Sequence, residues 1–234
     1  MKNFRKTIIA AVLMMMSGAA MAQDKVETTI SADVVSKYIW RGQDLGHAAV
    51  QPTLGVAYKG LSLSAWGSYG FADTSDTDEL DLTLSYSTGG LTVGVTDYWF
   101  SGGDNRYFLY EAHKTAHVFE ANVGYDFGPV ALNWYTNFAG DDGLNKDGKR
   151  AYSSYFEASA PFTIGGIDWT ATVGAVPFAT SFYSDATGFA VTNITLGASK
   201  DIKITDSFSV PVFASVTANP SSQKCYLTFG FTLK

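Results

Sequence analysis

Charged side chains make up 16% of this chain, and those that could do chemistry recur at one parity of its alternating segments. Glu27, Asp33, Asp81, Glu120, Glu157 and Asp168 share that parity with two cations, Lys37 and Arg41. Carboxylates brought to one face of a sheet with few opposing cations can bias the passage of cations or hydroxylated solutes through a narrow bore. The same set can equally be a salt-bridged interior that fills the space. Counted from the segment ends, Lys37, Glu120 and Glu157 lie near mid-height, whereas Arg41, Glu79 and Asp81 lie near one mouth. Trp66, Tyr98, Tyr135, Tyr155 and Tyr226 fall on this face and would narrow the bore. The candidates for a constriction are therefore Lys37, Arg41, Asp81, Glu120 and Glu157, with Trp66 and Tyr135.

Other chemistry is thinly represented. The histidines are His47, His113 and His117. His113 and His117 have a metal-like spacing with Glu111 nearby, but solvated loop histidines explain them more simply. No Ser, His and Asp or Asn grouping is recognisable as a catalytic set, so neither an enzyme nor a resident metal or cofactor is expected. The one cysteine, Cys225, forms no internal disulfide and reads as a small lipid-facing residue. The acidic stretches 73–79 and 141–142 read as solvated turns.

The elements that position these residues are strands. From Val26 to Trp40 the even positions are mostly apolar and the odd positions include Glu27, Asp33, Lys37 and Arg41, an alternation that a helix would scatter. Eleven further segments repeat it, ending with Leu227, Phe229, Phe231 and Leu233, so about 12 strands are expected. Connections alternate long and short: 42–48, 72–78, 101–112, 140–150, 179–188 and 219–224 are long, while 59–60, 88–90, 127–129, 161–166 and 200–206 are shorter. An even-numbered, all-β transmembrane antiparallel up-and-down barrel has this parity, with both termini on the turn side. Aromatics at apolar strand ends form two belts: Trp40, Phe71, Trp99, Phe138 and Tyr152 at the loop side, and Tyr58, Tyr86, Phe127 and Phe208 at the turn side. Asp97 falls on the apolar parity of its strand, which predicts a bulge near Thr96.

Residues 1–22 read as a cleaved signal peptide, with Lys2, Arg5 and Lys6 before an apolar run and Ala20-Met21-Ala22 at the cleavage point. Residues 23–234 then form one barrel domain. Without the leader, 13 basic residues face 22 acidic ones, which argues against nucleic acid as a partner. Outer-membrane lipid and a small polar solute are the expected partners; the oligomeric state is left open.

The first strand and its loop read Ser36-Lys37-Tyr38-Ile39-Trp40-Arg41-Gly42, with Ala49-Val50-Gln51 shortly after. This resembles the Ser-x-Tyr-x-x-Arg-Gly opening of the Gcw-chp family of bacterial proteins, with Trp40 where Phe is commoner. Glu79-Leu80-Asp81, Asp97-Tyr98-Trp99-Phe100 and Tyr125-Asp126-Phe127-Gly128-Pro129-Val130 echo it further. The resemblance implies an outer-membrane barrel and brings no established activity or site. Two functions stay open: a narrow porin-like channel for small polar or cationic solutes, or a non-conducting structural or surface-interaction barrel acting through its outer loops. In the second, Tyr107, Phe108 and Tyr110 are contact residues; in the first they fold inward as a constriction.

Overall fold

The computed structural model describes residues 25–73, 76, 78–101, 106–111 and 114–234. The proposed leader and His113 lie outside these residues. Fourteen strands are formed: β1 (Glu27–Val35), β2 (Tyr38–Trp40), β3 (Gln43–Gly46), β4 (Ala49–Tyr58), β5 (Leu61–Gly70), β6 (Asp78–Thr88), β7 (Leu91–Ser101), β8 (His117–Asp126), β9 (Ala131–Gly140), β10 (Ser154–Ile164), β11 (Ile167–Val176), β12 (Ala190–Lys203), β13 (Ser209–Asn219) and β14 (Lys224–Leu233). β1 and β4–β14 close into a 12-strand antiparallel barrel, while β2 and β3 form a separate two-stranded hairpin. Closure lets every wall strand pair on both sides, which removes free edges.

The period-two pattern sorts the faces. Ile30, Leu54, Leu63, Leu84, Leu227 and Phe229 are exposed on the outside, whereas Gln51, Thr53, Ser68, Asn122 and Asn133 are buried inside. This is the inverse of a water-soluble barrel. The expected aromatic belts are formed, with Phe71, Phe138 and Tyr152 exposed at one end and Tyr58, Tyr86, Phe127 and Phe208 at the other. Trp99 of the same belt is half-buried against Tyr107, and Trp40 is no part of it, because it belongs to the hairpin.

Turn chemistry sets the short connections. Lys59-Gly60, Gly89-Gly90 and Gly165-Gly166 each place two successive residues at positive φ, the conformation that matches strand twist in a two-residue hairpin. The connection expected at 161–166 is therefore only Gly165-Gly166. Pro161 stays in β10, above which the β9 ladder has already ended at Ser159 opposite Ala131, so its missing N–H costs no bond.

Two further expectations change. The first strand does not run to Trp40: it leaves the wall after Val35, and residues 36–48 are the excursion from which β2 and β3 fold. No register shift occurs at Thr96, where β7 pairs regularly with β6 and β8; the shift lies between Phe119 and Glu120. Asp97 keeps the outward parity because it has a partner there. The His117 ring sits 2.7 Å from its carboxylate and 2.6 Å from the Tyr107 carbonyl oxygen. Tyr107 and Tyr110 pack on that ring, so these residues of the third long loop lie against the outside of the wall and not in the bore.

Candidate functional site

The hairpin β2–β3 folds inside the barrel. Its turn, Arg41-Gly42, has φ of 48° and 83°, the geometry of the short turns at the opposite end. Gly42 is required twice over: besides its positive φ, an added Cβ would lie 1.8 Å from the Thr192 carbonyl oxygen of β12. Asn219 donates its side-chain N–H to the Gly42 carbonyl at 2.9 Å, and Ser184 donates its backbone N–H to the Gln43 side chain at 2.9 Å. Arg41 is a non-glycine residue in left-handed backbone, a conformation that costs on the order of 1 kcal/mol and persists where surroundings over-determine it.

Those surroundings are a carboxylate and four rings. Arg41 is 5% exposed and Glu120 of β8 is 1% exposed. The guanidinium donates from Nη1 to Glu120 Oε2 at 2.5 Å and from Nη2 to Oε1 at 3.0 Å, a bidentate fork. It also donates to the Tyr183 hydroxyl. Its carbon lies 3.9 Å from the Tyr135 ring centre, 4.4 Å from Trp40, 4.9 Å from Tyr155 and 5.7 Å from Tyr183, so the cation is enclosed by aromatic faces. Tyr98 donates to Glu120 Oε1 at 2.8 Å and Tyr183 to Oε2 at 3.2 Å, which satisfies the carboxylate on each side.

The wall supplies most of this cage. Tyr98, Glu120, Tyr135 and Tyr155 come from the consecutive strands β7, β8, β9 and β10. Gly174 on β11 makes room for Tyr155: an added Cβ would lie 1.8 Å from its hydroxyl oxygen. That hydroxyl donates to Glu157 at 2.9 Å and accepts from Asn193 at 3.0 Å. Tyr183 arrives from the 177–189 connection, which tucks inward; with Ala186 of the same connection it packs against Val176 and Trp40.

The other candidates surround the hairpin. Tyr38 donates to Glu79 at 3.0 Å and its ring lies 5.6 Å from Trp66. Asp81 stands on the inner wall opposite Tyr98. Lys37 pairs with Asp44 of the same hairpin at 2.8 Å. The two cations assigned to the wall, Lys37 and Arg41, are therefore both carried by the hairpin; the wall contributes the carboxylates. Between the hairpin and β11–β14 lies a cavity of about 90 Å³, lined among others by Lys37, Glu157, Asn193, Thr195, Thr217 and Thr228. Among the described residues, the amide of Asn122 and the hydroxyls of Thr192 and Thr228 are buried without a hydrogen-bond partner, so this interior is polar but incompletely self-satisfied.

A latch holds the return of the hairpin to β4. Asp76, in the connection between β5 and β6, accepts from the His47 backbone N–H at 2.9 Å and sits 3.0 Å from its ring nitrogen. The His47 side chain holds the Asp76 carboxyl below the usual aspartate range. Sequence reasoning missed Tyr183, the caging role of Trp40 and the inward hairpin. One signal was present: Gly42, directly after the first alternating segment, is a residue able to take positive φ in a tight turn.

A sequence model of the family described as "Bacterial protein of unknown function (Gcw_chp)" matches residues 19–223. No curated protein matches the chain.

Proposed function

The chain belongs to the Gcw_chp family, and from that premise we propose that it is an exported outer-membrane barrel whose lumen is closed at rest by the β2–β3 hairpin and serves, when the hairpin withdraws, as a gated conduit for small polar or cationic solutes. Lipid is the partner of its outer face, and no enzymatic step is assigned. The apolar exterior and the two aromatic belts support the membrane setting. Residues 1–22, with the features of an export signal, support delivery to it.

The observation that carries the reading is the Arg41–Glu120 clamp, which fixes a loop-borne segment across a polar bore. An always-open pore has no use for a buried, bidentate ion pair between its first loop and its far wall. A permanently filled barrel, in turn, would be expected to leave no space beside its plug, whereas a cavity of about 90 Å³ adjoins the hairpin. Withdrawal breaks no wall ladder, because Val35 and Ala49 are themselves ladder partners. The test is planar-bilayer recording of the refolded protein beside a variant in which residues 36–48 are replaced by Asn-Gly, a turn that can rejoin β1 and β4. The wild type is expected to be mostly silent and the variant to give stable ohmic openings. A wild type as conductive as the variant, or a silent variant with intact folded gel mobility, would overturn the reading.

A further inference from the structure

We propose that the wall cage of Tyr98, Glu120, Tyr135 and Tyr155 is a binding site for solutes bearing a guanidinium group, and that Arg41 is its tethered resident. This rests on the reading that the hairpin can leave. The cage does not depend on the hairpin for its main parts. Glu120, Tyr135 and Tyr155 stand on adjacent wall strands, and Tyr98, a wall residue, holds one Glu120 oxygen at 2.8 Å. Trp40 would depart with the hairpin, and Tyr183 belongs to the neighbouring connection.

The chemistry selects a planar cation. Both Glu120 oxygens meet one guanidinium, at 2.5 and 3.0 Å, as parallel donors from a fork require. The guanidinium carbon lies 3.9 Å from the Tyr135 ring centre, a contact with an aromatic face that suits a weakly hydrated, delocalised charge better than a compact, strongly hydrated ammonium. Once Arg41 is gone, the wall here presents Glu120 with Glu157 nearby, while Lys37 and Arg41, the cations assigned to this face, have left with the hairpin. A free guanidinium solute and the Arg41 side chain therefore compete for one site, so solute arrival favours the withdrawn hairpin.

Arg41→Ala leaves a hole of guanidinium shape, and methylguanidinium is the probe that fits it. Refolded full-length protein is heated and the temperature at which half loses its folded gel mobility is read. Methylguanidinium at ten times its dissociation constant should raise that temperature by about 3–6 °C in Arg41→Ala. It should have little effect on the wild type, where the site is filled, and none on Arg41→Ala combined with Glu120→Gln. Ethylamine should be clearly weaker. If Arg41→Ala does not fold alone, methylguanidinium present during refolding should restore the folded band, and Arg41→Lys, which keeps a cation, should show a smaller shift. Equal shifts in the wild type and the double variant, no preference over ethylamine, or neither shift nor rescue would overturn the inference. These outcomes are separate from gating: a silent Asn-Gly variant with methylguanidinium binding to Arg41→Ala defeats the conduit and leaves the site, and an open variant without binding does the reverse.

Discussion

Arg41 is the residue on which the proposed closure turns, and its energetics are those of a buried charge paired with Glu120. Taking Arg41 and Glu120 out of water is costly and is offset by the bidentate geometry, the hydroxyls of Tyr98 and Tyr183, and the surrounding rings. Removing the charge of one partner leaves the other uncompensated. Glu120→Gln, which keeps size and shape, is expected to destabilise the hairpin-in state by about 3–5 kcal/mol. Tyr98→Phe removes one hydrogen bond to the same carboxylate and should cost only about 0.5–3 kcal/mol. Trypsin cleavage at Arg41 in the folded barrel measures this, because the bond is accessible only when the hairpin is out. Equal protection in the wild type and Glu120→Gln would show that the clamp does not hold the hairpin.

At the scale of elements, the hairpin is held at its tip and at its base. The tip is clamped inside the wall; the base is latched where the hairpin returns to β4, where Asp76 accepts from His47. An aspartate held below its ordinary value contributes stability that is present above that value and is lost as pH falls through the lowered one. The latch is thus intact at neutral pH and should release only in acid, below about pH 4. Because the His47 side chain is 56% exposed, solvent screens the pair and its weight is small. Asp76→Asn should raise open time by about two- to fivefold at pH 7 and flatten the acid dependence of opening in bilayer recordings. An unchanged acid response in Asp76→Asn would assign that response to another group.

For the whole molecule, the barrel closes at a short seam. β1 and β14 share four ladder pairs, Ala32–Leu233 to Val35–Gly230, after which the chain turns inward and Ser36 alone exchanges bonds with Phe229, at 2.8 and 3.0 Å. Gly230 makes this seam possible, because an added Cβ would lie 2.3 Å from the Val34 carbonyl oxygen and 2.6 Å from the Phe213 ring. Gly197 on β12 has nothing nearer than 3.9 Å. Gly230→Val should therefore abolish the folded, heat-modifiable band, whereas Gly197→Val should retain it. Equal yields of the two folded variants would show that closure tolerates a looser seam.

Much of this was legible in the residues. Period-two alternation fixes which side chains face out, strand by strand, because each strand in lipid must present an apolar face and satisfy its backbone with its neighbours. Loop-length parity and strand count follow from the same local signals, and so does the inward placement of Glu120, Glu157, Trp66 and Tyr135. Alternation also misled, because Tyr38 and Trp40 continue the pattern of β1 after the chain has left the wall. A hairpin and a strand share one period, and only a partner decides between them. That partner, Glu120, lies 79 residues from Arg41, and Tyr183 lies 142 residues away. The sequence by itself determined a barrel with an acidic, aromatic interior. Only the tertiary structure decided that its first loop folds into that interior, because the pairing of Arg41 with Glu120 depends on complementarity between distant segments that no local pattern encodes.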